Sequence, residues 1–267
     1  MNQTLPAPLD VKLMNLTASV LFVGCAMAVL AAGAWWVLRY PGFAIARIVV
    51  QGELVHNNAV TLRANVAPHL VGNFFTVDLR AAREAFEQVP WVRRAQVRRV
   101  YPGSLRVELQ EHDAVAYWGP DTGSALVNSQ GEVFEANVGD VEQEGLPRLQ
   151  GPAGTSAEVL QMYGLLEPVF QPLGLDVEEL ELTGRGGWRA TLDSEAVVEL
   201  GGGTPQDVVQ RTQRFVRTLT QVAAQYGRRV DALESADLRH AGGYALRLRG
   251  VTTVSADATG ATAVRKR

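Results

Sequence analysis

Few residues in this chain are of types that do chemistry, and their spacing decides what each can be. Asp121-Thr122-Gly123-Ser124 spells the triplet of an aspartic protease. That chemistry needs two carboxylates sharing one proton, so a single copy must pair with a symmetry mate. The triplet sits between two short strands where a hairpin turn is needed, and Pro120 precedes it in place of a β-branched residue. A turn is the favoured reading, and a membrane-anchored protease using Asp121 is the remote alternative. His56, His69, His112 and His240 stand at no metal-ligand spacing with one another, a cysteine or paired carboxylates. Structural or surface roles follow for all of them, and no metal. Gly201-Gly202-Gly203 resembles a phosphate cradle, yet neither Lys-Ser nor Lys-Thr follows and no dinucleotide-binding register fits. It reads as a link from a strand to a helix capped by Thr204. With no Gly-x-Ser-x-Gly elbow either, the sequence points to no catalytic residue and no cofactor.

Arg93, Arg94, Arg98, Arg99 and Arg106 form the densest positive run. Nucleic-acid binding is not expected: the net charge is −3, aromatic residues do not interleave, and no groove-reading helix carries the run. Strand alternation sets Arg94 and Arg98 opposite Ala95 and Val97. The run is either a solvated sheet face or a patch (Arg93, Arg94, Arg98, Arg99) that docks a partner or lipid headgroups.

The elements that position these residues belong to a chain of 267 residues, 47% hydrophobic and 20% charged, long enough for one large or two small domains. Disordered, collagen-like and disulfide-scaffold classes are excluded, since Gly is 26, Pro 12 and Cys 1. From Leu16 to Leu38 no charge occurs, with Lys12 and Arg39 as bounds. At ~1.5 Å per residue the stretch covers roughly 34 Å against a hydrocarbon core of about 30 Å. Trp35, Trp36 and Tyr40 cluster at one end, as amphipathic rings do at headgroups. A cleaved export signal is the competitor, because Ala32-Gly33-Ala34 resembles a cleavage site. The apolar run continues past it to Leu38, which favours an uncleaved anchor. Flanking charge does not orient the span, for Asp10 offsets Lys12 while Arg39 and Arg47 follow. Cys25, the only cysteine, lies inside it, which suits a domain outside the cytoplasm.

Two folded regions follow. In residues 43–113 the order reads β-α-α-β-β: a strand over 45–50 closed by Gly52, a helix capped by Asn57 or Asn58 with Val60, Ala64 and Ala67 in a stripe, and a helix after Asp78 with Leu79, Ala82, Phe86 and Val89, stopped by Pro90. A hairpin over 91–110 turns at Tyr101-Pro102-Gly103. Residues 114–250 read as a mainly antiparallel β domain with two helices. Strands are expected at 115–118, 125–128, 133–135, 188–192, 196–200, 230–238 and 244–248. One helix follows Ser156 with Val159, Tyr163, Leu166 and Phe170. The longest begins at Thr204 with Val208, Phe215, Leu219, Val222 and Tyr226. The fold class is α+β behind a membrane helix, and residues 251–267 read as a disordered tail.

Several strings now carry a resemblance. Pro90-Trp91-Val92-Arg93, Val97-Arg98-Arg99, Tyr101-Pro102-Gly103-Ser104-Leu105, Val107 and Glu111-His112 lead the series. Leu126-Val127-Asn128, Gly131-Glu132-Val133-Phe134, Leu146-Pro147, Gly151-Pro152, Arg214-Phe215-Val216 and Asp237-Leu238-Arg239 continue it. In this order, over nearly all of residues 43–250, they closely resemble the FtsQ/DivIB family of bacterial cell-division proteins.

The resemblance implies a cytoplasmic tail over residues 1–15, one span over 16–38, a POTRA domain over 43–113 and a β domain over 114–250, both outside the inner membrane. It implies an essential, non-enzymatic scaffold at the division septum that holds FtsB and FtsL and helps control the septal peptidoglycan synthase. The last strand, 244–248, leaves an edge open to strand addition, with Tyr244, Leu246 and Leu248 on one face. Carried over from the family, the partner-binding positions fall on Arg185 and Arg239, which clamp an acidic side chain of FtsB, and on His240, Gly242, Gly243 and Leu248. His240 stands where Tyr is expected, and Leu248 where some members have Trp, which shifts aromatic anchoring to Tyr244. A POTRA-bearing assembly or secretion factor is the rival within membrane biology. Such proteins carry a C-terminal barrel, for which too few residues remain.

Overall fold

The computed structural model describes residues 9–38, 40–52, 54–120, 123–141, 145–240 and 242–251. Two compact units divide after Glu111, so His112 and Asp113, expected in the first region, fold with the second. Asp121 and Thr122 of the protease-like triplet, and all but the first residue of the expected tail, lie outside the described residues.

Helix α1 (Leu9–Leu38) has 30 residues and is long and apolar enough to cross a membrane. It starts seven residues before the charge-free stretch and takes in Asp10 and Lys12. A helix bonds its own backbone, so its hydrogen bonding does not stop at the edge of the apolar window.

The first folded unit follows as β1 (Arg47–Gln51), α2 (Ala59–Val66), α3 (Leu79–Glu87), β2 (Val92–Val100) and β3 (Ser104–Glu111). The expected β-α-α-β-β order stands. Its sheet has order β1-β3-β2, with β1 parallel to β3 and β2–β3 an antiparallel hairpin. Asp78 caps α3 by accepting from the Arg80 and Ala81 N–H groups at 2.8 and 3.2 Å, and these bonds hold its carboxyl below the ordinary range. Ala82, Phe86 and Val89 are buried, as the stripe required. In α2 the expected stripe is corrected: Val60 is 78% exposed and Ala64 and Ala67 face solvent, while Leu62 and Val66 are buried. A helix of 8 residues offers two stripes of similar apolarity, and the larger side chains take the core, since burial free energy scales with apolar area.

The second unit is built on a sheet of nine strands: β4 (Ala114–Trp118), β5 (Ala125–Asn128), β6 (Val133–Glu135), β7 (Arg148–Gln150), β8 (Val177–Leu182), β9 (Trp188–Leu192), β10 (Val197–Gly201), β11 (Leu233–Asp237) and β12 (Ala245–Leu248). The order is β12-β11-β10-β9-β8-β7-β4-β5-β6. Antiparallel pairs predominate, while β4–β7, β7–β8 and β10–β11 are parallel. Strands β7 and β8 carry no clear period of two. The first has one buried residue, and a register shift between Val177 and Glu179 breaks the alternation in the second.

Helices α4 (Ser156–Phe170) and α5 (Pro205–Gln225) pack on the sheet. Val159, Met162, Leu166 and Phe170 of α4 and Val208, Phe215, Leu219 and Ala223 of α5 join Trp188, Ala190, Leu192, Val198 and Leu200 in one core. On the other face Arg189 bridges Glu181 and Glu199 at 2.9 and 2.7 Å. The stripe of α5 closes on Ala223, and Tyr226 is 54% exposed. The Thr204 cap forms as a capping box: its hydroxyl accepts from the Asp207 N–H, and the Asp207 carboxylate accepts from the Thr204 N–H at 3.1 Å. Asn128, fully buried, accepts from the Gln130 and Glu132 N–H groups at 3.0 and 2.9 Å and fixes the β5–β6 turn.

Glu111 ties the far end of the first unit together. Its carboxylate, 7% exposed, accepts from the N–H groups of Val55, His56 and Asn57 at 2.9, 3.0 and 3.0 Å and from the Asn57 amide at 2.9 Å. Burial pushes this carboxyl up, the four hydrogen bonds pull it down further, and the net is a lowered pKa. Stability tied to Glu111 is therefore complete above pH 4.5, its ordinary value, and is lost as pH falls through the lower folded value. Glu111→Gln is expected to destabilise the first unit by about 2 kcal/mol, since hydrogen bonds to a charged group are the strong ones. It should also flatten the loss of stability in acid. Denaturant melts at pH 7 and pH 3.5 read both effects, and an unchanged acid slope counts against this assignment.

Candidate partner-binding edge

Strand β12 ends the sheet. It pairs antiparallel with β11, from Leu233↔Leu248 to Asp237↔Ala245, and has no strand on its other side among the described residues. In such a pair alternate residues turn their N–H and C=O groups away from the partner, so β12 carries a row of polar backbone groups facing outward. The opposite edge, β6, has only 3 residues.

Tyr244, Leu246 and Leu248 share a face, as expected, and that face turns inward to the core of the unit. The Tyr244 ring stands edge-on to Phe215 with centroids 5.0 Å apart, and its hydroxyl bonds the Thr218 hydroxyl at 2.7 Å. The aromatic expected to anchor a partner thus anchors β12 to its own domain. The face offered outward carries Ala245 and Arg247, both exposed. Beside the strand runs a groove of about 750 Å³ lined by Val222, Tyr226, Tyr244, Leu246, Arg247, Leu248 and Val251.

The strand's entry is basic. Arg239 donates from Nε to Asp237 Oδ1 at 2.9 Å and from Nη2 to Oδ2 at 2.6 Å, and its N–H donates to Oδ1 at 3.0 Å. The guanidinium bond leads these interactions in holding the Asp237 carboxyl down at about 2, so the fork stays charged on both sides at any physiological pH. Gly201, at φ +79, lets this fork approach: a β-carbon there would lie 3.0 Å from Arg239 Cγ and 2.6 Å from Arg211 Nη1. Arg211 Nη2 donates to the Gly202 carbonyl at 2.8 Å. A β-carbon on Gly202 would meet the Gly186 carbonyl at 3.1 Å, which brings the 183–187 turn to the same end of the sheet. Arg185, exposed in that turn, has no ion pair among the described residues.

Arg185, Arg239, His240, Gly242, Gly243, Tyr244, Leu246 and Leu248 therefore gather along one end and one edge of the sheet. Sequence reasoning missed Arg211, Arg214 and Arg217, which with Thr218, His240 and Tyr244 line a smaller cleft beside the β11–β12 turn. Their i, i+3, i+6 spacing on a helix was the available signal. The arginine run of the first unit is used differently. Arg99 donates to the carbonyls of Phe74 and Val77, each at 2.7 Å, and Arg98 pairs with Glu108 at 3.1 Å. Arg94 is exposed on the outer face and Arg93 is half-buried.

Among the described residues no group of three or more His, Cys, Asp or Glu side chains could hold a metal ion. His56 stacks on Trp91 at 3.7 Å, and His112 stacks on Phe134 at 4.0 Å.

Comparison with known proteins agrees with this architecture. A family described as POTRA domain, FtsQ-type, matches residues 43–112, and one described as Cell division protein FtsQ/DivIB, C-terminal, matches residues 116–239. The chain is 41% identical over 243 residues to the cell division protein FtsQ of Burkholderia pseudomallei, covering 91% of this chain and 94% of that one. It is 40% identical over 246 residues to that of Thiomonas arsenitoxydans, covering 91% and 89%. The FtsQ of Neisseria meningitidis is 30% identical over 227 residues, covering 85% and 92%. With both folded units matched and the similarity running through nearly the whole length, the chain belongs to the FtsQ/DivIB family of bacterial cell-division proteins.

Proposed function

We propose that this chain is a non-enzymatic scaffold of the division machinery that holds FtsB and FtsL and helps control the septal peptidoglycan synthase. It sits at the septum as a single-pass protein of the inner membrane, N-terminus in the cytoplasm and both folded units in the periplasm. The observation that carries the reading is β12, an edge with an open hydrogen-bonding side, a side groove and a cluster of arginines at its entry. A segment of FtsB adds to β12 as a further strand, its main chain meeting the outward N–H and C=O groups. Arg185 and Arg239 receive an acidic side chain of that segment. Asp237 already orients the Arg239 fork, so less side-chain freedom is lost when the partner arrives.

Charge reversal at Arg185 is the clean test, because the side chain is exposed and unpaired among the described residues. Arg185→Glu is expected to lower FtsB affinity at least tenfold, about 1.4 kcal/mol, with the melting temperature unmoved. Arg239→Glu should do the same with some loss of stability from repulsion by Asp237. Titration of full-length protein in detergent with FtsB measures both, and wild-type affinity in both variants would sink the reading.

Tyr244 gives a second test, since its ring holds β12 on α5. Tyr244→Ala is expected to cost about 2 kcal/mol and to speed amide exchange in residues 245–248 well beyond that in β9. Uniform exchange across the sheet would show that β12 does not depend on this contact.

A further inference from the structure

The end of the first unit nearest α1 exposes large apolar side chains together. β1 enters the sheet at Arg47, opposite Ser104 of β3, and leaves at Gln51, opposite Glu108, so the Arg47 end is the one the chain reaches from α1. The Ala46 N–H donates to the Gly103 carbonyl at 2.8 Å, which lays the β2–β3 turn there with Tyr101 79% exposed. The loop before α3 joins them: the Phe74 N–H donates to the Phe43 carbonyl at 2.8 Å, and the Phe43 and Phe75 rings meet edge-on at 5.0 Å. Arg99 fastens this loop to β2 through the Phe74 and Val77 carbonyls. Val71 is 78% exposed and Phe75 46%.

The connection to the helix is short and wound. The Tyr40 N–H donates to the Val37 carbonyl at 3.1 Å and the Phe43 N–H to the Tyr40 carbonyl at 3.0 Å. Ring contacts run from Trp36 to Tyr40 at 5.4 Å and on to Phe43 at 6.3 Å. With roughly 2 Å of rise per residue in such turns, Phe43 lies about 10 Å beyond the end of α1. The headgroup layer is about 5–7 Å thick on each side of the hydrocarbon core, so Tyr40, two residues past α1, lies within it, and Phe43 lies just outside it, within reach of an aromatic side chain.

Charge agrees. Leu105, Val107 and Leu109 are buried, so Arg106 and its lateral neighbours Val49 and Arg98 face outward, with Arg47 two positions nearer α1. Arg47 and Arg106 have no ion pair among the described residues and are exposed.

We propose that the tip formed by Tyr40, Val71, Phe75 and Tyr101 rests in the headgroup layer of the bilayer that α1 spans, with Arg47 and Arg106 directed to lipid phosphates. The first folded unit is then held against the membrane at a fixed height. The proposal rests on α1 being the membrane span, and its test separates the two.

Single cysteines replace Val37, Val71, Tyr101 or Val55 in a Cys25→Ser background and carry an environment-sensitive fluorophore. The full-length protein is placed in nanodiscs of phosphatidylethanolamine and phosphatidylglycerol containing a headgroup spin-label quencher. Val55 is the control: it is 67% exposed, but its N–H bonds Glu111 at the opposite end of β3, about 23 Å away at ~3.3 Å per strand residue. Labels at 71 and 101 are expected to be quenched at least threefold more than the label at 55. Tyr101→Asp should return the label at 71 to the level of 55. Labels at 71 and 101 quenched no more than at 55, with strong quenching at 37, overturn the proposal and leave the anchor standing. Absence of quenching at 37 overturns the anchor reading and the proposal with it.

Discussion

An open sheet edge must stay extended while half its backbone polar groups lack strand partners among the described residues, and the second unit is arranged around that constraint. Among the described residues strand β12 has one ladder, to β11, and on its inner face Tyr244 packs on α5 while Leu246 and Leu248 join the core of the unit. The support is mostly apolar, and the contact of Tyr244 with Phe215 and Thr218 ties the start of the strand to α5. The Thr204–Asp207 capping box starts that helix at a defined residue, and the glycines before it let Arg211 and Arg239 cross. Exposed edges invite promiscuous pairing, which short length and charge suppress. At 4 residues, with Arg247 on its outer face, β12 is short and charged, which limits indiscriminate pairing.

Electrostatics at the entry follow from the same geometry. The net charge is −3, so any attraction for acidic groups at this edge comes from a local cluster rather than from the overall field. Arg185 from one turn, Arg239 after β11 and Arg211, Arg214 and Arg217 from α5 supply that cluster. Asp237 neutralises part of it while fixing the direction of the Arg239 guanidinium. Screening by salt weakens the exposed members first.

How much of this is legible in the sequence depends on how local each signal is. The Thr204 cap, the helix start after Asp78 and the alternation of Trp188, Ala190 and Leu192 are set by residues within a few positions of one another, and each stands. The α2 stripe fails because two turns of helix hold two apolar faces, and only the sheet beneath selects Leu62 and Val66. Strand β8 is hidden by a bulge and by glutamates, which weaken a strand signal. Alternation places Tyr244, Leu246 and Leu248 together but does not say whether they face inward or outward. That choice is made by α5, more than twenty residues earlier in the chain. The meeting of Gly201, Arg211 and Arg239 depends on the parallel pairing of β10 with β11, a tertiary fact with no local trace.

Strand addition alone does not account for useful affinity at such an edge. Ordering four residues of an incoming strand costs about 4–8 kcal/mol in backbone entropy. Two to four new backbone hydrogen bonds return about 1 kcal/mol each, because water is given up on both sides. The deficit must be met by side chains, at about 25 cal/mol per Å² of apolar surface buried and through charge pairs drawn out of water. Both sources adjoin β12: the groove of Val222, Tyr226 and Val251 on one side and the arginines at its entry on the other. Under the strand-addition reading the ladder therefore sets register and direction, while the groove and the arginines decide which segment is held.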